Sequence, residues 1–267
     1  MPTSKTRFQF LAAHYRSIMK TTVAILIWLL LIPSVPALAD VESLDDEELL
    51  KRVDRALQPE SFEMYRKLIN IEPDGRRREY TLYTVRKGRD RMLALFLEPP
   101  SERGRSTLRL GDNMWLYIPD VGRPIRTTSL QSVVGGIFSN ADIMQLDYHV
   151  EYKVEDREDG DDHIELQLRA RTREVAYDRL VMRVDPETLT PTVIEAYTAT
   201  DMLIKTLRFH DIKDFGDGIV RPSRMETTSP LHEGYRAIML FAEIRPRELQ
   251  EEVFTQDFMP RANELRE

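Results

Sequence analysis

Apolar and polar residues follow two periods along this chain. In "SLDDEELLKRVDRAL" the apolar residues Leu49, Leu50, Val53 and Leu57 recur at three- and four-residue steps, the stripe of an amphipathic helix. Acidic residues crowd its first turn and basic ones follow, as the helix dipole favours. Ser43 is the expected N-cap, with Asp46 as its capping-box partner. A helix with this one stripe is expected to lie on a sheet.

After Pro59 the period drops to two. In "HIELQLRAR", Ile164, Leu166, Leu168 and Ala170 share one face, and Glu165, Gln167, Arg169 and Arg171 the other. This is a half-solvated antiparallel strand, and "RLVMRV" (179–184) repeats the theme. Turn residues punctuate the chain at "EPDGR" (72–76), "KGRD" (87–90), "EDGDD" (158–162), "DPETLTP" (185–191) and "DFGDGI" (214–219). This spacing, without long helical periods in between, predicts an antiparallel meander rather than a parallel sheet. "EEVFTQDFMP" (251–260) is read as a last strand.

Three segments break the alternation. "MLALFL" (92–97), "MWLYI" (114–118) and "YRAIMLFAEI" (235–244) are apolar on both faces, and a two-faced strand needs cover on both sides. The pattern fits a curved sheet with a helix outside and a hollow inside, and equally a two-layer core without a hollow. On "MWLYI", Met114, Leu116 and Ile118 point one way and Trp115 and Tyr117 the other; the pattern leaves open which set faces inward. "QSVVGGIFSNADIMQL" (131–146) interrupts the strands. It pairs the flexible Gly135-Gly136 with Ile137, Phe138 and a short helix carrying Ile143, capped by Ser139. It reads either as a lid or as a plain connection.

The first 39 residues change the picture of location. They hold four basic residues and no acidic one, then "VAILIWLLLI" (23–32), then "PALAD" with a small-x-small cleavage pattern. This is a secretory signal peptide, removed before Asp40; the apolar run is too short to span a bilayer. Met1 and Met19 both stand as candidate starts. The remaining residues, 40–267, are read as one domain exported to a periplasm, with no cysteine for a disulfide, thiol nucleophile or lipid anchor. They carry 34 basic against 45 acidic residues, a balance that argues against nucleic acid as a partner and against general adhesion to anionic membrane. Residues 66–109 run the other way, with twelve Arg and Lys against six Asp and Glu. This block is read either as solvated hairpin edges or as a docking face.

No catalytic, metal or cofactor motif emerges. His149, His163, His210 and His232 lack metal-ligand spacing. "DGDDH" (159–163) lacks the EF-hand pattern and reads as a hairpin turn. Neither a nucleophile elbow nor a nucleotide-binding glycine pattern is present. The expectation is a protein that is not an enzyme, with no cofactor.

"LRLGDNMWLYIPDVGRPIRTTS" (108–129) contains a W-x-Y-x-P-x-x-G-R-x-x-R core formed by Trp115, Tyr117, Pro119, Gly122, Arg123 and Arg126. With "FSNAD" (138–142) and "VFTQDFM" (253–259), it resembles a transporter-associated branch of the outer-membrane lipoprotein-sorting family, the LolA-like superfamily. The resemblance spans nearly all of residues 40–267. It implies an open, curved antiparallel half-barrel with helices over a hydrophobic cavity. It further implies a periplasmic carrier of lipid or lipoprotein acyl chains that makes transient membrane contact beside an inner-membrane transporter. The alternative it offers is a sensor or accessory module that contacts such a transporter or an anti-sigma factor. The chain is longer than the well-studied carrier, whose functional arginine has no single counterpart here. On this reading Met114, Trp115, Leu116, Tyr117, Ile118, Ile137, Phe138 and Ile143 are the cavity candidates. Arg123 and Arg126, past the turn, are candidates for a headgroup or partner contact, or else hold the turn by pairing with acidic neighbours.

Overall fold

The computed structural model describes residues 41, 43–145 and 147–266; the signal-peptide reading lies outside them. Helix α1 (Asp46–Leu57) buries the expected stripe of Leu49, Leu50, Val53 and Leu57. Asp45, not Ser43, caps it, accepting a 2.8 Å hydrogen bond from the Glu48 amide. From Asp45 a short carboxylate reaches the third amide of the first turn, and the charge also suits the helix N-terminus.

The strands form one antiparallel sheet. The first six are β1 (Phe62–Ile71), β2 (Arg77–Lys87), β3 (Arg91–Glu98), β4 (Ser106–Leu110), β5 (Asn113–Tyr117) and β6 (Pro124–Thr127). The other seven are β7 (Tyr152–Asp159), β8 (Ile164–Ala170), β9 (Arg179–Val184), β10 (Pro191–Tyr197), β11 (Leu203–Asp214), β12 (Val220–Thr228) and β13 (Arg236–Pro246). All five predicted turns fall between consecutive strands. The sheet order is β6-β5-β4-β3-β2-β1-β13-β12-β11-β10-β9-β8-β7. Two meanders therefore meet along β1 and β13, and β6 and β7 are the opposite edges. The single connection from β6 to β7, residues 128–151, must cross the whole sheet. It carries two short helices, α2 (Asn140–Ile143) and α3 (Tyr148–Glu151).

The two-faced strands are covered on both sides. On β3, Met92, Ala94 and Phe96 join an inner cluster, and Leu93, Leu95 and Leu97 an outer one. The inner cluster gathers Met114 near one edge and Ile164 near the other, together with α1 and Phe138, Ile143, Met144 and Tyr148 of the crossing segment. Residues from both ends of a thirteen-stranded sheet meet there because the sheet is curved and this face is its inside. Helix α1 therefore lies on the inside, as helices covering the cavity would, and not outside the sheet, the other placement that the pattern allowed.

The outer face of β2–β4 is covered instead by the C-terminal segment. Residues 251–260, expected as a strand, form a 3-10 turn (Glu251–Phe254) followed by a second (Met259–Arg266). Two features explain the difference. β13 already has β1 and β12 as neighbours, so no adjacent edge is free. The buried residues Val253, Phe254, Phe258, Met259, Ala262 and Leu265 also recur at steps of one, three and four, which suits helical turns and not a two-residue period. On β13, the bulge opposite Glu63–Tyr65 resets the parity, so Phe241 and Ile244 both face inward.

Truncating an anchor of the outer cover leaves a cavity against β2–β4. Phe254, 3% exposed, should when replaced by Ala cost about 3–4 kcal/mol in urea unfolding. A loss below about 1 kcal/mol would contradict this account of the C-terminal segment.

Candidate functional site

The crossing segment brings irregular backbone into an apolar interior, where each buried carbonyl needs a donor. The sheet supplies these donors from charged residues at inward positions. On β1, Arg66 donates to the Ile143 carbonyl at 2.8 Å and to Thr84 at 2.5 Å. On β4, Arg109 donates to the Met144 carbonyl at 2.9 Å and pairs with Glu151. On β11, Lys205 donates to the Ile137 carbonyl at 2.8 Å and to Asp142 at 2.7 Å. On β2, Arg86 pairs with Asp147 at 2.5 Å. All four cations are under 5% exposed.

Helix α1 is tied down in the same manner. Asp54 accepts from the Tyr148 and His149 amides at 2.7 and 3.0 Å, and the His149 Nδ1 lies 2.8 Å away. Burial raises the Asp54 carboxyl above its ordinary value, against the opposing pull of these donors. Arg221 on β12 donates to the carbonyl of Leu57 at the helix C-terminus and stacks on Phe241 at 4.4 Å. Thus α1 and segment 128–151 form a roof, apolar underneath and fastened at its polar points.

Segment 128–151 has its own internal frame. The Ser139 amide and hydroxyl donate to Asp142 at 2.8 and 3.0 Å, and the Tyr177 hydroxyl donates to its other oxygen at 2.8 Å. Ser139 caps α2 as the sequence predicts. Gly136 lies flat on Asn70, where a Cβ would come within 2.4 Å of the amide oxygen. Two small cavities of about 30 and 40 Å³ remain under the roof, room for a water or two. A wider cleft of about 310 Å³ at the end of α1 is lined by charged residues, including Glu48, Lys51 and Arg89.

The structure separates the cavity candidates. Met114, Phe138 and Ile143 are buried in the inner cluster. Leu116 and Ile137 are also buried, Leu116 on the Met114 side of β5, and Ile118 is half-buried just beyond the strand. Trp115 and Tyr117 lie on the opposite face and pack against the outer cluster. Arg123 and Arg126 are exposed at the β5–β6 turn and the edge strand. Arg126 bonds Asn113 and stands 6.0 Å over the Trp115 ring. Neither forms an ion pair among the described residues.

The basic block at 66–109 splits in two. Arg76, Arg77 and Arg78 pair with Glu72, Asp74 and Glu79 around an exposed hairpin. Arg66, Arg86 and Arg109 turn inward. Sequence reading missed these three, together with Lys205 and Arg221. The signal was present: in "FEMYRKL" Arg66 occupies the parity of Phe62, Met64 and Leu68, and in "KTLRF" Lys205 that of Leu207 and Phe209.

Removing one partner of a buried pair strands the other. Asp142→Asn should cost about 3–5 kcal/mol in urea unfolding. The double variant Asp142→Asn/Lys205→Met should lose less than the sum of the two single changes. Additive losses would show that the pair does not hold the segment.

A family model described as "-like: Uncharacterized protein" matches residues 88–261. No curated protein matches the chain. Among solved structures, the chain is similar to a LolA superfamily protein from Nitrosomonas europaea. The identity is 26% and the TM-score 0.73, covering 81% of this chain and 100% of that one. A DUF1329 family protein from Desulfovibrio piger shares the fold at 22% identity and TM-score 0.67, over 80% and 97% of the two chains. So does an outer membrane lipoprotein-sorting domain protein from Vibrio parahaemolyticus, at 19% identity and TM-score 0.67, over 80% and 97%. The family model spans well over half of the chain, and the curved sheet is that of the LolA superfamily protein; the chain belongs to that uncharacterised family and has the LolA-like fold.

Proposed function

We propose that residues 40–267 act in the periplasm as a non-catalytic carrier. It binds the acyl chains of a lipid or lipoprotein against the inner face of the sheet and moves them between the inner and outer membranes. The observation that supports this reading is the roof. Helix α1 and segment 128–151 cover an apolar inner layer, and their other fastenings to the sheet are hydrogen bonds and ion pairs. Such a cover can lift as a unit.

Lifting it alone is unfavourable, because each methylene left facing water costs about 0.8 kcal/mol. An acyl chain entering the gap restores that burial methylene by methylene. Exchanging one apolar cover for another makes loading and unloading nearly balanced, as a shuttle requires. The inward residues Met114, Leu116, Ile137, Phe138 and Ile143 then contact the chain. No bond is broken, in keeping with a sequence that carries no hydrolytic or metal motif. Arg123 and Arg126, exposed at the sheet edge, serve as a rim contact for a partner such as an inner-membrane transporter.

Native mass spectrometry of residues 40–267, purified from a bacterial periplasm without detergent, tests this reading. The expected result is a co-purifying acyl lipid that passes to acceptor vesicles. A clean apo mass, with no binding of added phospholipid or acylated peptide, would sink the carrier. Binding without release would favour the sensor. Arg123→Ala/Arg126→Ala should leave stability within about 0.5 kcal/mol and slow the transfer.

A further inference from the structure

The charges buried beneath the roof do not balance. Arg86, Arg109 and Lys205 each face a carboxylate, and Asp54 faces His149. Arg66 and Arg221, each 4% exposed, have no carboxylate partner among the described residues. Their acceptors are neutral: the Ile143 carbonyl and the Thr84 hydroxyl for Arg66, the Leu57 and Pro222 carbonyls for Arg221. The Arg66 Nε is buried without any partner. Both side chains line the same cavity of about 40 Å³, beside Met64, Met92 and Met225. Asp54 and Asp142 line it too, but His149 holds the first and Lys205 the second. Burial lowers Arg66 to about 9, with repulsion from Arg221 adding to it, and burial lowers Arg221 to about 10. Both remain charged at neutral pH.

Two buried cations on one cavity, neither in ion-pair contact with a carboxylate, are expensive to hold. Their present acceptors belong largely to the moving parts. Ile143 lies in segment 128–151 and Leu57 ends α1. When the roof lifts, both guanidiniums lose these carbonyls and face whatever enters.

We propose that Arg66 and Arg221 form the seat for the anionic group of the cargo, a carboxylate or phosphate attached to an acyl chain. The inference rests on the carrier reading and names the chemistry of its ligand. The anion replaces the two roof carbonyls, and the methionines around the pair receive the first methylenes. The anionic end of the cargo thus sits under the roof, which leaves Arg123 and Arg126 at the rim to a partner.

The test displaces the neutral fluorophore N-phenyl-1-naphthylamine from residues 40–267. The competitors are oleic acid, oleyl alcohol and dioleoyl phosphatidic acid, with acetate and inorganic phosphate as headgroup-only controls. At least one of the two anionic lipids should compete about tenfold better than oleyl alcohol, and the stronger identifies carboxylate or phosphate as the preferred group. In Arg66→Gln/Arg221→Gln that preference, read as the ratio of anionic-lipid to oleyl alcohol competition, should vanish. Equal competition by acid and alcohol in the unaltered protein overturns the proposal, whether or not the variant folds. So does a folded double variant that keeps the preference, or displacement by acetate or phosphate alone at the same concentrations. If no lipid displaces the probe and none binds directly, the carrier reading itself falls.

Discussion

The structure depends on one topological constraint. The strands at the two edges of the sheet, β6 and β7, are joined by a single connection, so residues 128–151 have to pass over the inner face. Such a crossing buries irregular backbone, and buried carbonyls without donors are too costly to keep. Lys205, Arg66 and Arg109 meet that demand at the Ile137, Ile143 and Met144 carbonyls. The arginines are therefore consequences of the path of the chain. With them the segment can bury Phe138, Ile143 and Met144 on the inner layer without leaving those carbonyls unpaired.

The same constraint ties curvature to function. A connection that holds opposite edges while packing on the inside encloses apolar surface between itself and the sheet. It is packed by apolar side chains and fastened at polar points rather than woven into the sheet, the arrangement that the proposed lifting of the cover needs. The outer face follows the opposite logic. There the C-terminal turns bury Phe254, Phe258 and Met259 against β2–β4, and Arg247 locks them by bonding Glu63, Tyr83 and the Leu265 carbonyl. On the proposed reading, that side is the fixed support against which the cover lifts.

Much of the fold was legible in the sequence. The turn residues at 72–76, 87–90, 158–162, 185–191 and 214–219 fix backbone locally, so all five hairpins stood in plain view. Two-faced strands such as "MLALFL" announced cover on both sides, but alternation alone does not say which element covers which face. Hence α1 was expected on the sheet, and only the structure shows that it lies on the inner face. The segment 251–260 misled because "VFTQDFM" holds apolar pairs that suit either period over so short a stretch; the spacing becomes helical only when Ala262 and Leu265 are counted. The site was less legible. Met114, Phe138 and Ile143 stood out as apolar, whereas Arg66, Arg86 and Arg109 were lost in a basic block whose exposed members behave as solvated hairpin charge. Parity distinguishes them, since a cation among inward apolar residues has to meet something inside. What it meets is set by a segment some 35 to 77 residues away in sequence, and local pattern carries no information about that.

The central claim is that α1 and segment 128–151 lift from the sheet when an acyl ligand binds. Hydrogen–deuterium exchange with and without bound lipid tests it most directly. The account predicts faster exchange at the Tyr148 and His149 amides, now held by Asp54, and through α1, with β1, β2 and β13 unchanged. Lipid bound at the inner face with those amides equally or better protected would contradict it.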